Sequence, residues 1–394
     1  MYKKLVLKKG KEKSLLNFHP WVFSGAVASN ISEIADGEVV EIFSSDKKYL
    51  ATAHFSNGSI MGRIISFEQG EINYEFWKEK FTGAFALRQR LGFIDNKLTN
   101  AFRLINAEGD GMPGLIIDVY DRTAVIQAHT IAMHNQVETF AKILSEIFGN
   151  NFSVFDKSAE MLNRKNASPV NAQNKYLLGE KGNQIISENG LKFFVDWEQG
   201  QKTGFFIDQR DNRKLLSEYS SSKKVLNAFA YSGGFSVYAL KAGAAMVHSV
   251  DSSEPAAQWA EKNVTLNFSG ENRHVFFKED VFDFLKKSQE KYEVIVLDPP
   301  AFAKHFSAVK NASIGYRNLN AEAIRKISAG GILFTFSCSQ HIDQALFQKI
   351  IFAAAALAKR NVRVLHRLHQ PADHPFSIYH PEGEYLKGLV LYVE

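Results

Sequence analysis

The chain has 394 residues, 45% of them hydrophobic and 23% charged, with a net charge of +5. That length exceeds one ordinary core, so two or three domains are expected, and the composition excludes a disordered or fibrous chain. The modest positive charge is compatible with a polyanionic partner without requiring one, and the single cysteine, Cys338, excludes an intrachain disulfide and a multi-cysteine metal site.

Lys3, Lys4, Lys8, Lys9, Lys11 and Lys13 crowd the start of the chain and read either as a solvated basic tail or as a patch that tracks phosphates. The apolar stretch after the first lysines is far shorter than a secretory core, and the run Ile350 to Ala358 is too short to cross a bilayer. A cytoplasmic protein with no membrane partner is expected.

Short apolar segments at Val39–Phe43, Tyr49–Phe55 and Ile60–Phe67, separated by Asp36-Gly37, Asn57-Gly58 and Gln69-Gly70, predict a small all-β domain over residues 1–72. A second, α+β domain is expected over 73–188. It has a helix at Phe76–Arg90, strands at Phe102–Asn106, Leu115–Tyr120 and Ala124–Ala128, a helix near Met133–Phe148, and a strand around Phe152–Phe155. The polar stretch between Asn163 and Asn174 reads as a surface loop.

From about Gly190 the pattern becomes strand, helix, strand, helix: Lys224–Asn227 then 234–243, Met246–Asp251 then 254–267, Val275–Phe277 then 281–288, and Val294–Leu297. This predicts a doubly wound α/β domain over 189–394, with ligands at the carboxyl ends of parallel strands. The first strand runs into Phe229-Ala230-Tyr231-Ser232-Gly233-Gly234, a turn that lets a nucleotide-like ligand approach the backbone but lacks the G-x-G-x-x-G spacing of a dinucleotide site. Asp251 ends the second strand, where a carboxylate accepts from ribose hydroxyls, and Asp280 follows the third, where it would meet an adenine amino group. Each has a competing reading as a helix N-cap, a role that Ser252 or Ser253 could fill for the helix after Asp251. The fourth strand ends in Asp298-Pro299-Pro300-Ala301-Phe302, a rigid turn that holds a carboxylate toward the sheet edge. The apolar stretch Gly331–Ser337 then delivers Cys338 to the same edge, as a nucleophile or as a buried inert thiol. His341 reads as a surface residue.

The glycine turn, Asp251, Asp280, DPPAF and SCSQH, taken in that order, resemble the class I methyltransferase domain of the bacterial 23S rRNA (cytosine-5)-methyltransferase family that also carries an N-terminal PUA domain. The likeness covers nearly the whole chain. Lys13-Ser14-Leu15 through His19-Pro20-Trp21-Val22-Phe23-Ser24-Gly25 is similar to the start of that family's RNA-binding PUA β-barrel, and Arg103 to Leu115 to its central strand-strand-helix-strand-strand domain. Gln201 to Arg210 resembles its cofactor lid. The resemblance implies S-adenosylmethionine lying against Phe229, Tyr231, Ser232 and Gly233, with Asp251 on the ribose, Ser252 among the contacts and Asp280 near the adenine. Thr203, Phe205, Asp208 and Arg210 would close over the methionine end. It implies that Cys338 attacks C6 of a cytosine while Asp298, also counted among the cofactor contacts, hydrogen-bonds the base; Pro299, Pro300 and Phe302 would line the pocket of the flipped base. The substrate implied is 23S rRNA, naked or in a large-subunit precursor, and a homodimer is implied by the resemblance alone. A guanine-N2 methyltransferase on the same scaffold, which needs no thiol, and a non-catalytic RNA-binding protein are the alternatives.

Overall fold

A computed structural model describes residues 2–165, 172–303 and 305–394, without the side chains of Arg164 and Lys165. The chain forms two compact units, and neither is continuous in sequence. One comprises residues 1–186, 195–205 and 372–383; the other comprises 187–194, 206–371 and 384–394.

The first unit holds two five-stranded sheets. In the N-terminal sheet, Val39–Phe43, Tyr49–Phe55 and Ile60–Ser66 pair antiparallel, with Trp21–Phe23 beyond them and Lys3–Val6 parallel to Val39–Phe43 on the opposite edge. Lys3 and Lys4 of the lysine-rich start therefore lie in a strand rather than a tail. Leu5 and Leu7, two residues apart, point to one face and are buried in the core of this sheet, while Lys3 pairs with Glu38 at 2.9 Å. The second sheet has the order Lys175–Leu178, Ser153–Asp156, Thr123–Ala128, Leu115–Tyr120, Ala101–Asn106. Helices Tyr74–Arg90 and Val137–Phe148 contribute Trp77, Phe81, Phe140 and Leu144 to its core. The expected helix over Met133–Phe148 is two helices, Ile131–His134 and Val137–Phe148, because the Thr130 hydroxyl caps the first and Asn135 ends it. Of the expected loop between Asn163 and Asn174, the first residues finish a helix, Ala159–Lys165, and 166–171 lie outside the described residues.

The second unit is built on a seven-stranded sheet: β1 (Lys224–Ala228), β2 (Met246–Val250), β3 (His274–Phe277), β4 (Tyr292–Leu297), β5 (Ile327–Ser337), β6 (Val362–Leu368) and β7 (Lys387–Val393). Their order across the sheet is β3, β2, β1, β4, β5, β7, β6. The first five run parallel, and β7 is antiparallel to both of its neighbours. Strands covered on both faces need near-continuous apolar runs, and Val294 to Leu297 in β4 is such a run. Leu226, Ile295, Leu297, Leu333 and Leu389 form one core with Tyr316, Leu319, Phe347 and Ile350 from the covering helices. The order reverses between β1 and β4, so the crevice at their carboxyl ends is the switch point where such sheets bind ligands.

Candidate active site

Strand register sets the site. Ala228, the last residue of β1, lies opposite Val250 of β2 and Leu297 of β4; Val250 pairs with Phe277 of β3, and Leu297 with Thr335 of β5. The residues that follow these strand ends, Phe229 to Gly233, Asp251, Asp280, Asp298 and Cys338, therefore share one edge of the sheet.

After β1 the backbone is held in a conformation that L residues rarely adopt, with φ of +60° at Phe229 and +45° at Tyr231. Gly233, at φ +73°, caps helix Gly234–Lys241 and lies so near helix Glu254–Asn267 that a Cβ would come within 3.0 Å of the Ala260 Cβ. The turn is braced from β2: the Tyr231 N–H donates to Asp251 Oδ2 and the Ser253 N–H to Asp251 Oδ1, both at 3.0 Å. Ser253 caps the following helix by accepting from the Ala256 N–H, so Asp251 is not its N-cap, and Ser252 is exposed. The buried Ser232 has its carbonyl held by Asn263 Nδ2 at 2.8 Å, and the Tyr231 ring packs edge-on between Phe206 and Trp259. Asp280 is exposed and caps helix Val281–Lys287, its Oδ1 accepting from Phe282 N and Asp283 N at 2.9 and 3.1 Å.

Asp298, after β4, is pushed up to about 7, first by burial and then by the Asp208 carboxylate; the Gln209 side chain and Arg213 act in the opposite sense. Asp208 Oδ2 accepts from the Tyr385 hydroxyl at 2.8 Å, and its Oδ1 is buried with no hydrogen-bond partner. Arg210 is buried, with Nε 3.7 Å from Asp211. The segment 206–213 is fixed by a buried fork in which Arg213 Nε and Nη2 meet the two Glu188 oxygens at 2.8 and 2.7 Å while Nη1 donates to the Phe206 carbonyl. Thr203 and Phe205 belong to the first unit, where both are buried. The Thr203 hydroxyl donates to Asp118 and lies 2.9 Å from the Tyr120 hydroxyl, which reaches the Phe205 carbonyl at 3.3 Å.

Pro299 is buried and Pro300 exposed. The half-buried Phe302 ring lies 4.5 Å from that of Tyr316, which takes up one side of it. Cys338 is half-buried at the end of β5. The buried Tyr316 hydroxyl is 3.0 Å from Ser339 Oγ, which accepts from the Ala303 N–H at 3.2 Å, so the turns after β4 and β5 are tied together. His341 is exposed. Beside this cluster is Lys387, buried at the head of β7. Sequence reasoning missed Tyr316, Tyr385 and Lys387, whose residue types carry no signal until the fold gathers them, and gave Gln209 no role of its own within the lid-like segment. Among the described residues no cluster of His, Cys, Asp and Glu could hold a metal ion.

Residues 157–388 match the S-adenosylmethionine-dependent methyltransferase family, and residues 5–67 match the PUA-like domain. The chain is 40% identical over 393 residues to the ribosomal RNA large subunit methyltransferase I of Vibrio campbellii, and 38% identical over 394 residues to that of Aeromonas salmonicida. Each alignment spans 98% of both chains. The chain belongs to that family. A solved Streptococcus mutans chain described as a SAM-dependent methyltransferase shares the fold, with a TM-score of 0.86 over 99% of this chain and all of its own, at 24% identity.

The residues present fit S-adenosylmethionine. Two carboxyl groups near enough for one to raise the other, with a buried oxygen left unsatisfied, are what a ligand carrying ammonium and sulfonium charges would relieve.

Proposed function

We propose that this methyltransferase methylates C5 of a cytosine in 23S rRNA through a covalent bond between Cys338 and C6, acting in the cytoplasm on naked RNA or on a large-subunit precursor. The observation that supports this reading is the pairing of β4 with β5, after whose ends come, on one edge of the sheet, a carboxyl group pushed up to about 7 and the chain's one cysteine. The names of the relatives support the substrate, and the PUA-like match supports RNA binding. No helix among the described residues is long and apolar enough to cross a membrane.

Phe229, Tyr231, Ser232, Gly233, Asp251, Ser252 and Asp280 would hold the adenosine, and Asp208, Arg210 and Asp298 the methionine end. Asp251 is held by the two backbone N–H groups it accepts from, which supports a fixed contact to the ribose. S-adenosylmethionine supplies an electrophilic methyl group on a sulfonium sulfur. The Cys338 thiolate adds to C6 and the C5–C6 π electrons move toward C5 and the ring, while the Asp298 carboxylate accepts from the cytosine 4-amino group and fixes the base. C5 is then nucleophilic enough to take the methyl group. The C5 proton leaves to water, its electron pair returns to C5–C6, and the S–C6 bond breaks to restore the thiolate. Pro299 and Pro300 would keep the Asp298 turn rigid, and the half-buried Phe302 would line the pocket of the flipped base.

The test is nucleoside mass spectrometry of rRNA from cells lacking the protein, complemented with wild type or with Cys338→Ala. A loss of 5-methylcytidine that only wild type restores supports the reading. Restoration by Cys338→Ala overturns the covalent role of Cys338, and loss of a methylguanosine instead overturns the reading in favour of guanine-N2 methylation; no change in any methylated nucleoside points to a non-catalytic RNA-binding protein.

A further inference from the structure

Lys387 has no part in the steps above, yet it is the buried cation nearest to them in strand register. It stands opposite Ser337 in the antiparallel pairing of β5 with β7, so the sheet itself fixes its backbone beside the residue that precedes Cys338. Its side chain is 3% exposed, and Nζ donates to the carbonyls of Ser339 and Tyr385 at 2.8 and 2.7 Å. Those two bonds clamp the amine against the turn that carries the thiol. Both acceptors are neutral, and neutral carbonyls do not compensate a full charge removed from water. The ionisable groups that act on Lys387 are Cys338 first, then Glu384 and Asp343. Tyr316, whose hydroxyl bonds Ser339 Oγ, faces the same thiol.

We propose that Lys387 stabilises the thiolate of Cys338 and is thereby a positioning residue for the nucleophile, an inference that rests on the role of Cys338 given above. The thiol proton leaves to solvent before substrate arrives, the S–C6 bond forms from the thiolate electron pair, and the Lys387 ammonium keeps its three protons throughout. Burial brings that ammonium down to about 8, so it is charged at and below neutral pH, where an ordinary thiol is not ionised. The arrangement reserves its greatest benefit for the window in which the ammonium is still protonated and the thiol has already lost its proton.

Because the chain has one cysteine, iodoacetamide alkylation followed by intact mass spectrometry reads Cys338 alone. Measured on the full chain from about pH 5 to about pH 10, the wild-type midpoint is expected below the ordinary thiol value of about 8.5. Lys387→Met should raise the midpoint by about one unit or more and slow alkylation at neutral pH about tenfold, while Lys387→Arg, which keeps the charge, restores most of the rate. A midpoint that Lys387→Met leaves in place overturns the proposal. Should that variant not fold, a wild-type midpoint at or above the ordinary value overturns it equally. Trapping with an RNA containing 5-fluorocytidine separates the two readings. A wild-type adduct without a lysine effect on alkylation removes only the role of Lys387. A lysine effect without an adduct removes the cytosine mechanism and leaves the stabilised thiolate standing.

Discussion

Asp298 carries the clearest pH signature in the molecule. Its carboxyl group titrates near 7 because it is buried beside Asp208. A cationic ligand requires the ionised form, so affinity for S-adenosylmethionine should weaken as pH falls through that value. Isothermal titration from about pH 8 to about pH 6 is expected to show a loss of about tenfold, and Asp298→Asn to bind weakly with no such slope. Stability runs the other way. A folded-state value raised above the unfolded one means that the ionised group opposes folding, so the protein without ligand loses stability as pH rises from about 4 to about 7. Asp298→Asn should therefore be more stable than wild type at about pH 8, on the order of 2 kcal/mol by urea unfolding, and indistinguishable near pH 4. A variant equal to wild type at both pH values would show that the carboxyl is not strained by its surroundings.

Among the elements, the turn after β1 is the most tightly constrained strand end described above. Two non-glycine residues at positive φ, a glycine against Ala260, and a carboxylate from the neighbouring strand accepting the Tyr231 N–H all hold one backbone path. Gly233→Ala would place a methyl 3.0 Å from the Ala260 Cβ and force a side chain into the left-handed region. The conformational term alone is about 1–2 kcal/mol, so a lower melting temperature and weaker S-adenosylmethionine binding are expected together, the first read by calorimetry and the second by titration. An unchanged affinity would mean that the site tolerates a displaced turn. The turn was legible in the sequence, as were β1, β2 and β4, because an apolar run that stops at an acidic or glycine residue is a local pattern. Asp280 was legible only as a pair of readings, and its two bonds to Phe282 N and Asp283 N establish the N-cap while leaving Oδ2 for another partner. The strand Lys3–Val6 was obscured because its lysines dominate a short segment, although Leu5 and Leu7 already had the alternation of a half-buried strand. Lys387 heads an apolar run and was read as nothing at all, since a lysine is buried by its neighbours across the sheet rather than by its neighbours in sequence.

For the whole molecule, what the sequence concealed is the path of the chain between the units. Local periodicity suggests domains laid end to end, whereas the first unit takes in 195–205 and 372–383 as well. Buried Arg88 is the tie. It forks onto Asp110, donates Nε to the Arg103 carbonyl at 2.7 Å, and donates Nη2 to the carbonyl of Asp373 at 2.8 Å, a residue 285 positions away. Arg88→Ala would leave the Asp110 carboxylate buried without its partner, and a loss of about 3–5 kcal/mol is expected in the unfolding of that unit. Replacing Arg88 and Asp110 together by Met and Asn should recover part of it, and a double variant no better than Arg88→Ala would place the cost in the Asp373 contact instead.

That tie has a consequence in time. Synthesis proceeds from the N-terminus, so the PUA-like sheet can pair as soon as its own residues emerge, but the unit to which it belongs has to wait for Asp373 to be made before Arg88 is satisfied. By then β1 to β6 have all been synthesised, and every strand end that presents the reactive groups already exists. A released fragment ending before residue 372 should leave Arg88 accessible to protease, and one extended past 383 should protect it. The unit that carries the PUA-like domain thus reaches its finished form only after the chemistry it would serve is nearly complete.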